Sequence, residues 1–133
     1  MLARWFLAII ALLVVACSPV VAGPAPGSAR DQRADRIATS AVWASGELAE
    51  HYKKHPEGYR SQSDYDQGAR DTIREGVAFT YRDTQSDTPR LGYYQRDGNR
   101  FTALTADGRR ITTHFRPDRG ESYVRGLPGS SYR

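Results

Sequence analysis

Three histidines are the side chains of this sequence best suited to moving protons near neutral pH: His51, His55 and His114. His51 and His55 are four residues apart, so on a helix they share one face. Two imidazoles so placed suit either of two chemistries. Zinc accepts paired histidines at this spacing, but it needs further ligands. The helical peptidase pattern also requires a Glu directly after the first His, where this chain has Tyr52. His114 is the remaining histidine that could complete such a site. The other chemistry is general acid–base catalysis, in which one imidazole accepts a proton while the other donates one. RNA cleavage needs little more than this, because the ribose 2′-hydroxyl itself attacks the adjacent phosphorus. The protein must deprotonate that hydroxyl, protonate the leaving 5′-oxygen and stabilise the added negative charge, which His with Arg or Lys can do. Spacing alone favours a third reading, in which the pair is surface or half-buried packing on a helix.

The rest of the composition narrows the choice. Cys17 is the only cysteine and it lies close to the N-terminus. Residues 5–16 are an unbroken apolar run, WFLAIIALLVVA, preceded by Arg4. Such a run is too short to span a bilayer comfortably but matches the core of a signal peptide. Val14-Val15-Ala16-Cys17 has the form of a lipobox, which would make Cys17 a lipidation site, and Val20-Val21-Ala22 before Gly23 has the form of an ordinary cleavage site. An uncleaved anchor through Ala22 is the other use of the segment. Residues 1–22 are therefore expected to be an export signal, with the product secreted, periplasmic or lipid-anchored at the cell surface. The remainder contains no thiol, which excludes disulfides, cysteine nucleophiles and cysteine metal sites there.

Beyond residue 22 the chain is long enough for one modest domain with one core. Its 18 basic and 15 acidic residues leave a charge of +3, and the excess is concentrated in residues 108–133, with six Arg against Asp118 and Glu121. Of the 19 basic residues in the whole sequence 17 are Arg. Guanidinium groups suit phosphate oxygens and stack on bases, so the bias leans towards an anionic or nucleic-acid partner. Codon usage in a GC-rich genome would produce the same bias.

The elements that must position these side chains follow from the patterning. Residues 23–36 (GPAPGSARDQRADR) lack periodicity and read as a flexible linker. Residues 37–55 read as helical, broken or recapped at Ser45-Gly46, with Leu48, His51, Tyr52 and His55 on one face. Pro56 and Gly58 stop that helix. Ser61-Gln62-Ser63-Asp64 resembles a capping box opening a second helix, whose inner stripe is Tyr65, Ala69 and Ile73 and whose end is Gly76. The remainder alternates as strands over residues 77–82, 91–96, 101–105 and 111–115, with hairpin signals at Asp97-Gly98-Asn99 and Asp107-Gly108. The expected fold class is α+β: two N-terminal helices packed on a four-stranded antiparallel sheet.

Taken together, Leu48-x-x-His51-Tyr52-x-Lys54-His55, then Tyr59 and a capped helix, then Ile111-Thr112-Thr113-His114-Phe115-Arg116-Pro117-Asp118 with Gly120 and Tyr123, resemble one family. It is the bacterial toxin ribonuclease domains of the barnase–EndoU–colicin–RelE superfamily, of the contact-dependent-inhibition or polymorphic toxin type. In those domains a helix reading roughly H-F-x-K-H precedes a second helix and an antiparallel sheet. Their last strand reads roughly I-R-T-x-F-K-P-D. The resemblance spans about residues 47–125, and the order of elements agrees with the motifs. Two positions depart from the pattern: Tyr93-Tyr94 stand where the family often has a basic residue beside its Tyr, and Arg116 stands for a Lys.

The resemblance implies a metal-independent endoribonuclease over residues 37–133 that forms a cyclic phosphate and needs no cofactor. By position, His51 and His55 would supply acid–base or phosphate-orienting groups, and Lys54 would lie beside the scissile phosphate. Thr113 would hydrogen-bond a phosphate oxygen, Arg82 would stabilise charge and Arg116 would contact phosphate. Among the strand aromatics that could stack on bases, Tyr94 is the one assigned to substrate. The implied partners are RNA, with tRNA among the candidates, and a cognate immunity protein. The membrane would be met only through the signal or a lipid on Cys17. Strict alternation places Ile111, Thr113 and Phe115 on one face and His114 on the other, so His114 is left out of the catalytic set. Two other readings stay open: an exported or membrane-tethered binding module without catalysis, and a zinc protein built on the helix pair.

Overall fold

The computed structural model describes residues 27–133. The proposed export segment and Cys17 lie outside the described residues. The elements run α1 (Ala29–Ser40), β1 (Val42–Trp43), α2 (Glu47–Lys54), α3 (Gln62–Glu75), β2 (Val77–Arg82), β3 (Pro89–Gln95), β4 (Arg100–Thr105), β5 (Arg110–Phe115) and α4 (Glu121–Arg125). The fold is α+β, as expected, but the sheet has five strands in the order β1-β5-β4-β3-β2. The four long strands form the antiparallel meander; β1 adds a short parallel edge, pairing Val42 with Arg110 and Trp43 with Ile111.

The largest departure from the sequence reading is α1, which occupies most of the segment read as a linker. Ser28 and Asp31 form a reciprocal capping box, and the helix buries Ala34 and Ala38. Its fully buried positions are alanines and Ile37 is its one large aliphatic against the core, which makes the periodicity faint. The helix is held by side chains from α3: Arg70 donates to the carbonyls of Ala38 and Ala41, and Arg74 pairs with Asp35. Three helices therefore precede the meander, not two. The helix expected over residues 37–55 is two helices separated by β1.

Other expectations hold. Ser61 Oγ accepts from the Asp64 amide, α3 buries Tyr65, Ala69 and Ile73, and Gly76 closes it through its N–H to the Thr72 carbonyl. Both predicted hairpin turns join the strands where expected.

The sheet buries both faces. On one, Ala34, Ala38 and Ile73 of the helices meet Leu91, Tyr93, Leu104 and Ile111. On the other, Phe79, Tyr81, Tyr94, Phe101 and Ala103 meet Val124 and Tyr132. The second face is closed by α4 and the C-terminal tail, which runs beside β2: the Arg82 amide donates to the Pro128 carbonyl and the Ser131 amide to that of Thr80.

A β-bulge sets which side chains of β5 face which core. Leu104 lies opposite Ile111, yet Ala103 lies opposite Thr113, so Thr112 is the extra residue. Its hydroxyl donates to the Ala103 carbonyl. An inserted residue shifts the alternation by one position. Ile111 and His114 consequently both face the α3 side, while Thr113 and Phe115 turn to the other face.

Candidate functional site

Helix α2 is the element that carries the imidazole pair. It opens at Gly46, whose φ of +80° is a left-handed conformation that only glycine adopts without strain. It packs through aromatics: His51 lies against Trp43, Tyr52 against Tyr65, and His55 stacks on Phe115 at 5.4 Å between ring centroids. Trp43 is itself fixed by its indole N–H donating to Asp66 of α3 at 2.8 Å. The face predicted for Leu48, His51, Tyr52 and His55 is thus the packed face.

Between α2, the second face of the sheet and α4 is a cleft of about 470 Å³. His51, Lys54, His55 and Thr113 all line it. The two imidazole rings are 6.5 Å apart and nearly parallel. Each faces a carboxylate. Glu47 Oε2 is 3.2 Å from His51 Nε2, and Glu57 Oε1 is 3.7 Å from His55 Nδ1. Burial lowers the pKa of His51, with Glu47 opposing that shift and Lys54 adding to it. His51 Nδ1 is buried and has no hydrogen-bond partner among the described residues. The neutral ring is therefore best satisfied with its proton on Nε2, donated to Glu47.

Glu57 is held in place by the Arg116 amide, which donates to its Oε2 at 2.9 Å, and its backbone has φ +37°. A non-glycine residue in that region carries strain that surrounding contacts must offset. Burial raises the Glu57 pKa, while the Arg116 amide and His55 oppose the shift.

Two residues assigned from the sequence lie elsewhere. Arg82 does not line the cleft. It is exposed and pairs with Asp87, 2.9 Å from its Nε. The reason is strand alternation: Tyr81 faces the second core, so its neighbour Arg82 faces away. The arginine that lines the cleft is Arg90 of β3, directly opposite Tyr81 in the ladder. Tyr94 is buried in the second core, with its hydroxyl donating to Asn99 Oδ1 at 2.9 Å. Asn99 donates in turn to the Pro117 carbonyl, so Tyr94 ties the β3–β4 turn to the segment before α4 and has no free face for a base. Arg116 is exposed and does not line the cleft; it lines an adjoining groove with His55, Glu57 and Asp118.

Sequence reasoning missed Glu47, Glu57 and Arg90. Glu47 precedes His51 by four residues, a spacing that would have revealed the pair. Arg90 could not be found without knowing which residue of β3 pairs with Tyr81.

His114 is outside the cleft, inside the α3-side layer. Thr102 Oγ1 donates its one proton to the Ala69 carbonyl and so accepts from His114 Nδ1 at 2.8 Å; Nε2 accepts from the Tyr59 hydroxyl at 2.9 Å. The Tyr65 hydroxyl donates to the His114 carbonyl. Burial, reinforced by nearby Arg100, pushes the imidazole pKa down to about 3. Tyr59 reaches it because its ring lies over Gly68 of α3, where a Cβ would come within 2.3 Å of the tyrosine oxygen. With both nitrogens engaged and its side chain on the opposite face, His114 does not join the helix pair as a third ligand. Among the described residues no three His, Cys, Asp or Glu side chains are grouped to hold a metal ion.

No protein-family model matches this chain, and no curated protein matches it. The assignment of function therefore rests on the site.

Proposed function

We propose that the chain is an exported, metal-independent endoribonuclease-like domain that cleaves RNA by attack of the 2′-hydroxyl on the adjacent phosphorus. The observation carrying this reading is the meeting, in one cleft, of two carboxylate-facing imidazoles with Lys54, Arg90 and Thr113. Glu47, half exposed and accepting from His51 Nε2–H, takes the 2′-hydroxyl proton on its carboxylate, and His51 holds that carboxylate in place. His55, whose Nδ1 faces Glu57, protonates the leaving 5′-oxygen. Lys54 and Arg90 stabilise the charge that develops on phosphorus, and Thr113 donates to a phosphate oxygen. Arg116, in the adjoining groove, contacts a neighbouring phosphate.

The apolar run of residues 5–16 and the small-residue sites after it support export, with Cys17 as a lipid attachment point. The similarity of the helix and last-strand motifs to toxin ribonucleases supports a toxin, kept silent in its producer by an immunity protein. Incubating the purified protein with total RNA in excess chelator tests the reading. Cleavage that survives the chelator and is lost in His51→Ala and His55→Ala supports it. Intact RNA contradicts it and favours a binding module without catalysis. Cleavage abolished by the chelator favours the zinc reading.

A further inference from the structure

A second groove, of about 640 Å³, opens beside the cleft and shares Glu47, Arg90 and Thr112 with it. Its remaining cations are Arg109 and Arg110, at the β4–β5 turn and the first position of β5. The three guanidinium groups come from three places along the sheet: β3, the turn and β5. Strands β3 and β5 stand either side of β4, two strand spacings or roughly 10 Å apart, so the charges are spread across the groove and suit an extended anion better than a small one. The acidic residues in the groove compete weakly for them. Asp107 is engaged by its own turn: its Oδ1 accepts from the Thr105 hydroxyl and the Arg109 amide, and its Oδ2 is 4.0 Å from Arg109 Nε. Glu47 faces His51. Arg110 and Arg109 are both exposed, and Arg109 keeps 88% of its side-chain surface. Exposed guanidinium groups contact phosphates with little desolvation cost and release counterions on binding.

We infer that Arg90, Arg109 and Arg110 form a phosphodiester track that carries the nucleotides flanking the cleavage point, so that the substrate is a single-stranded polynucleotide several nucleotides long. The inference rests on the ribonuclease reading of the cleft and deepens it. Arg90 belongs to both surfaces and marks where the strand passes from the track into the cleft. The track holds the strand electrostatically and reads no base.

The test is binding, not cleavage, so it stands apart from whether the cleft is active. Affinity of the purified protein for an uncleavable 2′-O-methyl RNA 12-mer is measured by fluorescence anisotropy across a salt series. For single strands the logarithmic salt slope becomes shallower by about 0.7 for each phosphate that the protein no longer neutralises. The Arg109→Ala/Arg110→Ala double variant is expected to bind the 12-mer about tenfold more weakly at low salt, with a slope shallower by roughly 1.4. The Arg33→Ala/Arg36→Ala variant removes two charges from α1 and is expected to keep the wild-type slope. Thermal melting shows that each variant is folded; Arg109→Gln/Arg110→Gln replaces the first should it not be. An unchanged slope in the Arg109/Arg110 variant overturns the track, as does an equal loss in the α1 variant. Failure of RNA cleavage with the track intact would count against the cleft alone.

Discussion

Glu47 Oε2 lies 3.2 Å from His51 Nε2, one helical turn along α2; both line the cleft and Glu47 also lines the second groove. The arrangement sets two opposing forces on one imidazole. Burial favours its neutral form and the carboxylate favours its charged form, and burial is the larger. His51 is accordingly expected to titrate below 6.5, the ordinary value for an exposed imidazole. In Glu47→Gln the stabilising charge is gone, so the midpoint should fall further. Imidazole proton shifts followed by NMR across pH 4–8 check this. An upward shift in the variant would show that Glu47 does not act on His51.

Arg90 and Arg82 make a paired comparison, because the sequence pointed to one and the cleft contains the other. Arg90→Ala is expected to lower kcat/KM for RNA roughly 100- to 1,000-fold, the range for removing one group that stabilises transition-state charge. Arg82→Ala, which breaks only an exposed pair with Asp87, should stay within about twofold of wild type. The reverse order would mean that the strand ladder, or the placement of the cleft, is wrong.

His114 makes stability fall in acid. Its folded pKa of about 3 lies below the 6.5 of an exposed imidazole, so the unfolded chain binds the proton first. This contribution is complete above pH 6.5 and is lost progressively as pH drops towards about 3. Urea unfolding at pH 7 and pH 4.5 measures it: the stability lead of wild type over His114→Gln should shrink at the lower pH. A lead that grows in acid would contradict a neutral, buried His114. Tyr59→Phe, which leaves Nε2 without its donor, should cost roughly 1–3 kcal/mol at pH 7 in the same assay.

Tyr94→Phe separates a packing role from a substrate role. Its hydroxyl bonds Asn99 beneath the second core, so the substitution should cost roughly 1 kcal/mol of stability and leave affinity for the 2′-O-methyl 12-mer unchanged. A weaker RNA complex with unaltered stability would return Tyr94 to the substrate surface.

These cases show where the sequence was legible. Elements with strong local signals were readable: the Ser61 cap, the Tyr65–Ala69–Ile73 stripe, and the strands divided by Asp97-Gly98-Asn99 and Asp107-Gly108. Helix α1 escaped because its buried stripe is alanine and its hold on the fold comes from Arg70 and Arg74, more than thirty residues away. Strand β1 is two residues long, and its pairing with β5 leaves no local trace. At the site, α2 was readable because residues four apart share a face, so His51, Lys54 and His55 reach the cleft from a local pattern. Arg90 depends on cross-strand register, which spacing does not encode. Strict alternation put Ile111 and His114 on opposite faces, and the Thr112 bulge puts them on one. His114 faces away from Thr113 and Phe115, as alternation implies, and so lies outside the site; the bulge changes only the face of Ile111.

In the proposed mechanism the attacking group is the substrate's own 2′-hydroxyl, activated by side chains of α2. This is tested most directly with a DNA oligonucleotide carrying a single ribonucleotide, incubated with the protein in excess chelator and resolved by mass spectrometry. A strand cut only 3′ to the ribonucleotide, with a 2′,3′-cyclic phosphate on the 5′ fragment, is the predicted result. Cleavage of the all-deoxy strand, or no cleavage of the chimera alongside a cleaved all-RNA strand of the same sequence ending in a 5′-phosphate, would contradict it.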